Sequence, residues 1–382
     1  MKKTATHSSE WLKKLLSPRP LLCFEEIKVP GYELVLKITH AEAHLTAIIA
    51  LHDLTLGPAL GGIRIQPYAS FEAALEDVLR LSKGMTHKSA VAEVGYGGGK
   101  SVIIADPKKD KTPALLKAFG AAVEELHGRY ICAEDVGCSI EDVLVIRQAT
   151  RYVVGLPQAQ SSGDPGPFTA WGIFRGIQAT CKKAFGSDSL EGRSIALQGL
   201  GNVGSNLLPH LFWAGARLIL SDIDSHKLQT LAKKYGAETL PPDQILSAEC
   251  DLLAPCALGG ILNDASLPKL RCRAIAGGAN NQLKHPSHAE ALRHLGILYA
   301  PDFVINGGGL LNVSAELEEK GYSASLSRAK INRIYDYLLA IYEIAEKNGE
   351  STESAALALA EYRLKYGIGK RLTPPTFHTP RT

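Results

Sequence analysis

The sequence has no stretch approaching the ~20 consecutive apolar residues needed to cross a bilayer, so neither a membrane span nor a membrane partner is expected. It has no basic stripe. Its 42 lysines and arginines are interspersed with 39 acids for a formal net charge of +3, which leaves no electrostatic footprint for nucleic acid. Seven cysteines are scattered without a C-x-x-C pair, and twelve histidines form no metal-spaced cluster. Neither a disulfide framework nor a metal site is expected, and the dispersed thiols suit a reducing, cytoplasmic compartment. The N-terminus is basic at Lys2 and Lys3 and apolar at Leu15-Leu16, but Ser17-Pro18-Arg19-Pro20 interrupts any signal-like core. An arm leading into a helix is expected there rather than an export signal. There are no internal repeats.

What is present is a chain of 382 residues, 45% hydrophobic and 21% charged, enough for full cores and, at that length, for two domains. Its most informative stretch is Ser194-Ile195-Ala196-Leu197-Gln198-Gly199-Leu200-Gly201-Asn202-Val203-Gly204. This reads as an apolar strand, a G-x-G-x-x-G turn and a helix start, and roughly 20 positions further on Asp222 closes the next apolar strand. Each part has a physical task. Gly199 permits the tight turn, Gly201 lets a pyrophosphate approach the backbone, and Gly204 lets helix and strand pack closely. The helix N-terminus, with Asn202 and Val203, offers free N–H groups to phosphates. Asp222 can accept hydrogen bonds from ribose hydroxyls and would repel a 2′-phosphate, so the expected cofactor is NAD rather than NADP. The competing interpretation is a glycine-rich turn in some other α/β unit.

Residues 32–38 and 44–52 alternate and are rich in β-branched side chains, as paired strands do. A helix is expected from Ser70 to about residue 86, a strand over 101–105, a helix over 113–127 and a strand over 129–133. Ser139-Ile140-Glu141-Asp142 has the form of a capping box. These mixed elements predict an α/β domain with a partly antiparallel sheet over 1–155. Residues 157–168 have hinge composition. Beyond them helices (168–185, 202–214, 225–235) and strands (193–198, 216–221, 250–254, 273–276, 297–300) alternate. That is the pattern of a Rossmann-type doubly wound parallel sheet, assigned here to 156–349, with a cleft between the two domains. Helical segments at about 310–320, 326–348 and 352–367 follow. A C-terminal helix at 350–370 is expected to join the first domain, and 372–382 to be disordered.

Two lysines of the first region have unusual surroundings. Lys88 ends Gly84-Met85-Thr86-His87-Lys88, and Lys100 ends Gly95-Tyr96-Gly97-Gly98-Gly99-Lys100 ahead of a continuously apolar strand. Most lysines are solvated surface residues. A lysine at the mouth of a core strand is desolvated, and its lowered pKa lets it act as an acid or base near neutrality. The three glycines imply a close backbone approach. Asp135, in Ala133-Glu134-Asp135-Val136-Gly137, follows a strand and precedes a glycine turn, where α/β proteins place ligands. Taken alone it reads better as a turn or cap residue.

Val94-Gly95-Tyr96-Gly97-Gly98-Gly99-Lys100-Ser101-Val102-Ile103-Ile104-Ala105-Asp106-Pro107 resembles the signature of the Glu/Leu/Phe/Val amino-acid dehydrogenases. The resemblance runs from about residue 48 to 320 and is closest to the leucine dehydrogenase branch. It is carried by Gly57-Pro58-Ala59-Leu60-Gly61-Gly62, Gly84-Met85-Thr86, Ala133-Glu134-Asp135-Val136-Gly137, Ala254-Pro255-Cys256-Ala257-Leu258-Gly259, Ala279-Asn280-Asn281-Gln282-Leu283 and Tyr299-Ala300-Pro301-Asp302.

The resemblance implies reversible, NAD-dependent oxidative deamination of an amino acid to its 2-oxo acid and ammonia, as in branched-chain catabolism. It also implies a cytoplasmic homo-oligomer, commonly an octamer. It makes Lys88 the holder of the substrate carboxylate, Lys100 the lysine that activates water, and Asp135 the group that exchanges protons with nitrogen. Gly61 and Gly62 would line the carboxylate pocket, Asn281 would touch substrate or cofactor, and Thr169 would hold the nicotinamide carboxamide. Cys256, Ala257 and Asn280 would lie at the cofactor. Glutamate-using members carry a lysine and a serine where this chain resembles Leu60 and Val313. Those two, with Ala133 and Leu310, therefore imply an apolar pocket for leucine, valine or isoleucine.

There are departures. His87 replaces a usual tyrosine, Gly307 stands where an alanine is usual, and Leu310 replaces a smaller valine. A related tryptophan-oxidising branch also has leucine there, but it departs from the Gly61-Gly62 and Ala133-Glu134-Asp135 patterns kept here. An aromatic amino-acid dehydrogenase, for phenylalanine or tryptophan, is the nearest alternative. An NAD-binding regulatory protein without turnover is the alternative from another class.

Overall fold

The structure is a computed structural model that describes residues 5–17, 21–157 and 161–378. The chain forms two compact units. The first comprises Met1–Gly163, Glu316–Tyr322 and Leu364–Thr382, and the second Asp164–Ala315 and Ser323–Arg363.

The first unit begins with α1 (Ala5–Leu15) and strands β1 (Leu22–Glu26), β2 (Leu34–His40), β3 (Leu45–Leu51) and β4 (Ala59–Gln66). It continues with α2 (Phe71–Ala92), β5 (Gly97–Ile104), α3 (Pro113–Glu124), β6 (Tyr130–Ala133) and α4 (Ile140–Arg147). The six strands form one sheet in the order β1-β2-β3-β5-β4-β6. β1 with β2, β2 with β3 and β3 with β5 pair antiparallel, whereas β4 runs parallel to both β5 and β6. The mixed sheet expected from the sequence is thus present. Alternate side chains serve its two faces. Leu36, Ile38, Ile49, Ile63 and Ile103 bury against Phe119 of α3 and Ile146 of α4, while Val35, Ile48, Ala50 and Val102 bury against Ala74 and Val78 of α2. Ser70 caps α2 by accepting the Ala73 N–H at 3.1 Å, and Ser139 and Asp142 form the expected capping box on α4.

The structure differs from the sequence reading at several places, beginning with β1, which was not anticipated. β4 was not anticipated, because Gly61-Gly62 lowers strand propensity. α2 runs six residues past the expected end at 86, because Gly84 meets no clash in the helix and Ser89–Ala92 are buried. β5 starts at Gly97 rather than 101. A Cβ at Gly98 would overlap Thr86 of α2, and one at Gly99 would sit 2.8 Å from the Ala59 Cβ and 2.9 Å from the Tyr130 ring. The glycine run therefore serves helix and strand packing.

The second unit starts with α5 (Pro165–Phe185), three residues earlier than expected, capped by Asp164. It continues with β7 (Ser194–Gln198), α6 (Asn202–Trp213), β8 (Arg217–Ser221), α7 (Ser225–Tyr235), β9 (Glu238–Thr239), β10 (Cys250–Pro255), β11 (Cys272–Ile275), α8 (Ser287–His294) and β12 (Leu298–Tyr299). Five helices close it: α9 (Asp302–Ile305), α10 (Gly308–Ser314), α11 (Ala324–Asn332), α12 (Ile334–Asn348) and α13 (Thr352–Tyr366). Its sheet is parallel throughout, in the order β12-β11-β10-β7-β8-β9, the doubly wound arrangement whose direction of winding reverses between β7 and β10.

The unit boundaries depart from the expected ones. The break falls at Gly163–Asp164 rather than 155–156, and residues 158–160 of the expected hinge lie outside the described residues. Most of α13, expected to join the first domain, belongs to the second unit. There Ala355, Ala356 and Ala360 are buried, and the Thr352 hydroxyl donates to the Tyr299 carbonyl at 2.6 Å. Of the tail expected to be disordered, 372–378 packs on the first unit. Phe377 meets Tyr152 edge-on at 5.2 Å, and the Thr376 N–H donates to the Leu317 carbonyl at 3.1 Å. Residues 379–382 lie outside the described residues.

Candidate active site

In the first unit three parallel strand ends bring sequence-distant residues together. β4 pairs Leu60 with Gly98 of β5 and with Ile131 of β6, and it pairs Gly61 and Gly62 with Cys132 and Ala133. Lys100 on β5 reaches Asp135, just beyond β6, with Nζ 2.8 Å from Oδ2. Gly62 lies under this pair: a Cβ there would stand 2.7 Å from the Asp135 Cβ and 3.0 Å from Lys100 Nζ. A Cβ at Gly61 would overlap the Gly99 carbonyl oxygen. The Tyr130 hydroxyl underpins the turn of β4 by donating to the Gly61 carbonyl at 3.2 Å. Gly61, Gly62, Lys100, Ala133 and Asp135 therefore form one cluster.

The two groups of the pair are shifted in opposite senses by their surroundings. Lys100 is buried, with its side chain only 7% exposed. Burial pushes its pKa down from the ordinary lysine range, against the pull of Asp135. For Asp135 burial opposes ionisation, yet the Lys100 and Arg64 cations hold the carboxyl below its ordinary value. Arg64 was not singled out from the sequence. It sits two residues beyond Gly62 on β4, and its Nε is 3.1 Å from Asp135 Oδ2 while Nη1 is 2.9 Å from Asp77 Oδ2 on α2. Only the alternation of β4, which puts residues 62 and 64 on one face, could have pointed to it.

Lys88 lies half-buried near the end of α2, the helix whose Thr86 touches Gly98. His87 is buried, 6.4 Å edge-on from His52, which in turn packs edge-on against Tyr32 at 4.8 Å. It fills an aromatic position in a packed cluster. Leu60 is buried and Ala133 half-buried.

The second unit holds the dinucleotide motif at its winding reversal. Gly199 has φ +92° and would drive a Cβ to 2.8 Å from the Ala257 Cβ. A Cβ at Gly201 would meet nothing within 4 Å, so this backbone is open to a ligand. A Cβ at Gly204 would overlap the Gly199 carbonyl oxygen. Asp222 accepts the Leu200 N–H at 2.5 Å and the Asp224 N–H at 2.8 Å, which fixes its carboxylate beside the turn with acceptor capacity to spare. Asn202 donates to Asp164 at 2.9 Å and so ties the starts of α6 and α5. Gly278 meets Val203 and donates its N–H to Cys256 Sγ at 3.4 Å. Cys256 is half-buried, and desolvation pushes its thiol up to about 11, so it stays neutral.

The remaining candidates lie around this turn. Asn281 adopts a left-handed backbone, φ +52°, which asparagine tolerates, and its carbonyl accepts the Gly260 N–H at 2.7 Å. Asn280 Oδ1 accepts from Asn306 Nδ2 at 2.7 Å, and the buried Asn306 Oδ1 has no hydrogen-bond partner among the described residues. Asn306 is thus an orienting residue that the sequence reading passed over. Leu310 is buried and Val313 half-buried on α10. A Cβ at Gly309 would sit 2.9 Å from the Thr169 hydroxyl, and one at Gly308 would overlap the Phe168 carbonyl. These glycines let α10 close on the start of α5. Among the described residues no group of His, Cys, Asp and Glu could hold a metal ion. No helix among them is long and apolar enough to cross a membrane.

Comparison with known proteins agrees with this geometry. Residues 34–152 match the family model described as the Glu/Leu/Phe/Val dehydrogenase dimerisation domain, and 220–365 match that of Glutamate/Leucine/Phenylalanine/Valine dehydrogenase. The leucine dehydrogenase of Geobacillus stearothermophilus is 49% identical over 90% of this chain and 93% of its own length. The phenylalanine dehydrogenase of Lysinibacillus sphaericus is 44% identical over 86% of this chain and 87% of its own. The crystal structure of L-tryptophan dehydrogenase from Nostoc punctiforme superposes with a TM-score of 0.79 at 46% identity, covering 88% of this chain and 97% of that one. With a cofactor-type turn at the reversal of one sheet and a buried Lys–Asp pair in the other unit, the chain belongs to the Glu/Leu/Phe/Val dehydrogenase family and is an amino-acid dehydrogenase.

Proposed function

We propose that this enzyme oxidatively deaminates branched-chain aliphatic L-amino acids, leucine, valine and isoleucine, with NAD. The balanced reaction takes the amino acid, NAD⁺ and water to the 2-oxo acid, ammonium, NADH and a proton. The observation that carries the reading is the buried Lys100–Asp135 pair at 2.8 Å, set on strands whose neighbouring Leu60 and Ala133 are apolar.

The cofactor site fits the group. Gly201 leaves an open backbone, Gly199 and Gly204 make the turn and its packing, and the start of α6 supplies N–H groups. Asp222 supports NAD over NADP, because a 2′-phosphate dianion would meet its carboxylate. Thr169, Asn202, Val203, Cys256, Ala257 and Asn280 are the further groups proposed to hold it. When bound, the nicotinamide accepts the hydride of the substrate α-carbon.

The protein's own residues do the rest. Lys88 pairs with the substrate carboxylate, beside Gly61 and Gly62. Asp135 takes the proton of the α-ammonium group so that nitrogen can share its electrons. Lys100 takes a proton from the water that attacks the resulting iminium carbon and returns it to nitrogen; as ammonia leaves, Lys100 takes the hydroxyl proton so that the carbonyl forms, and the proton held by Asp135 makes ammonium. Its charge also stabilises oxygen as it becomes negative. Asn281 contacts substrate or cofactor.

Leu60, Ala133, Leu310 and Val313, the residues proposed to meet the side chain, are all apolar and carry no cation. A glutamate side chain would bury an unpaired carboxylate, which costs several kcal/mol. The leucine at 310, which the tryptophan-oxidising branch shares, and the comparable likeness to phenylalanine and tryptophan dehydrogenases favour an aromatic substrate as the second reading. Family membership and the Lys100–Asp135 pair speak against a regulatory protein without turnover. We further propose a cytoplasmic homo-oligomer, with an octamer as the expected size. The seven free thiols suit a reducing compartment, and the first matched model is a dimerisation domain.

The test is NADH formation with leucine, valine, isoleucine, phenylalanine, tryptophan and glutamate side by side, each with NAD and with NADP. The aliphatic substrates should exceed glutamate by at least ~10³ in kcat/KM. If phenylalanine or tryptophan gave the highest value, the aromatic reading would replace this one.

A further inference from the structure

The charges around Asp135 form a chain longer than an acid–base pair requires. Asp135 Oδ2 meets two cations, Lys100 Nζ at 2.8 Å and Arg64 Nε at 3.1 Å. The same Arg64 guanidinium extends Nη1 to Asp77 Oδ2 at 2.9 Å. Asp77 is fixed in turn: the Tyr68 hydroxyl donates to Oδ2 at 2.8 Å and Arg80 to Oδ1 at 2.8 Å. One planar group on β4 is thus gripped by a carboxylate on either side, one from α2 and one from the end of β6.

We propose that Arg64, clamped by Asp77, is a positioning residue that keeps the Asp135 carboxylate paired and aimed while Lys100 gives up and regains its proton. This rests on the reading of Lys100 and Asp135 as the proton-transfer groups. The physical need is plain. Each time Lys100 becomes neutral, Asp135 would be left as a buried carboxylate without a counter-charge, and such a group is expensive. The Lys100 proton would then be hard to remove. Arginine does not deprotonate, so Arg64 holds a constant positive charge on Asp135 through the cycle. Its charge also disfavours a second cation nearby. Burial first, and then Arg64, push Lys100 toward its neutral form, while Asp77 and Asp135 favour the charged one. The Nη1–Oδ2 contact with Asp77 matters because a guanidinium free to swing would follow whichever carboxylate was charged.

The hydroxyls and thiols packed around Asp135 keep their protons in the working range. Burial raises the Tyr130 hydroxyl and the Cys132 thiol well above their ordinary values, and it pushes the Cys138 thiol up to about 12. Tyr68 is raised by burial and by Asp77. Glu134 on the same loop and Asp142 beyond Cys138 complete the set.

The experiment is the pH dependence of kcat from about pH 6 to 11, using NAD and whichever amino acid of the panel above reacts fastest. It compares wild type, Arg64→Gln, Arg64→Lys and Asp77→Asn, with thermal melting to confirm folding. In Arg64→Gln the limb that reports Lys100 should move alkaline by about one pH unit, and kcat should fall ~10–10²-fold. Arg64→Lys should restore the position of the limb but only part of kcat, since the charge returns without the fork. Asp77→Asn should move the limb the other way, toward acid, because it removes a negative charge that favours protonated Lys100. Loosened packing alone would not produce shifts of opposite sign.

A wild-type profile and kcat in Arg64→Gln would overturn the proposal. If Arg64→Gln does not fold, unchanged profiles in Arg64→Lys and Asp77→Asn do so instead. Asp135→Asn separates the two levels. If it keeps wild-type kcat, the acid–base reading itself falls. If it is inactive while Arg64→Gln is normal, only the role of Arg64 falls.

Discussion

The replacement Gly62→Ala tests the site with a single methyl group. The new carbon would stand 2.7 Å from the Asp135 Cβ, 2.9 Å from the Glu134 carbonyl oxygen and 3.0 Å from Lys100 Nζ. Ordinary carbon contacts lie at ~3.5–4.0 Å, so each neighbour must retreat by up to about 1 Å. The lysine tip can swing away. The Asp135 Cβ and the Glu134 carbonyl are tied to the main chain and can move only by shifting the turn that aims Asp135. Misplacing a reacting group by ~1 Å costs on the order of 10²-fold in rate. Overpacking a closed site costs about 1–3 kcal/mol, equivalent to a drop in Tm of roughly 2–10 °C for a unit of this size. The assay is kcat and KM for leucine with NAD alongside a melting curve. Gly84→Ala is the control: Gly84 lies inside α2 with nothing within 4 Å of the position of a Cβ. It should gain ~0.5–1 kcal/mol of stability and leave kcat unchanged. Were Gly62→Ala to keep kcat within about three-fold of wild type, the argument from the Lys100–Asp135 geometry would be wrong.

Asp222→Ala should narrow the preference for NAD over NADP by at least ~10-fold in kcat/KM, because the ribose acceptor is lost and a 2′-phosphate no longer meets a carboxylate. Equal use of both cofactors by the wild type would sink the assignment. Lys100→Ala should lower kcat by ~10²–10⁴ while NAD binding, followed by fluorescence titration, persists. Lys88→Ala should mainly raise KM for the amino acid, since its partner carboxylate is present throughout the reaction. Glu353 gives a pH effect on stability. Its carboxyl is raised to about 8 by burial and by Asp302, so the folded state holds a proton that the unfolded chain releases near pH 4.5. The stability it contributes is complete below pH ~4.5 and is lost by up to ~1.4 kcal/mol per pH unit as pH rises toward 8. Glu353→Gln should therefore flatten the fall in Tm between pH 5 and 8, and an unchanged slope would refute the assignment.

What the sequence reveals depends on the distance over which a feature is built. The dinucleotide turn is local: strand, three glycines and helix start lie within one short segment, and each glycine can be assigned a task before any coordinates are seen. The structure gives Gly199 its positive φ, Gly201 its open side and Gly204 its contact with the Gly199 carbonyl. The Lys100–Asp135 pair was reachable only through resemblance, since nothing in local spacing says that β5 and the end of β6 flank β4. Arg64 was invisible for the same reason, and its partners Asp77 and Asp135 lie on two different elements. β4 itself was missed because Gly61-Gly62 reads as a loop. The ends of the chain misled for a different reason. Composition favoured disorder for 372–378, yet Phe377 and Thr376 find partners on the first unit that are remote in sequence.

The glycines of the first unit show how one residue type carries two unrelated messages. Gly97, Gly98 and Gly99 looked like a ligand cradle, but a Cβ at any of them would strike protein: the Asp53 carbonyl, Thr86, or Ala59 and Tyr130. They exist so that α2 and β4 can press against β5. That pressure is what buries Lys100, because β3 and β4 flank its strand on either side. The desolvation that lowers the Lys100 pKa is thus a product of glycine packing next to it in sequence. Gly62, by contrast, has Asp135, Lys100 and the Glu134 carbonyl as its nearest neighbours, so its missing methyl leaves room beside the pair proposed to do the chemistry. Alanine at 98 or 99 should therefore cost the first unit its fold, while alanine at 62 should cost mainly the reaction. Both expectations follow from the same geometry, and they separate on a melting curve.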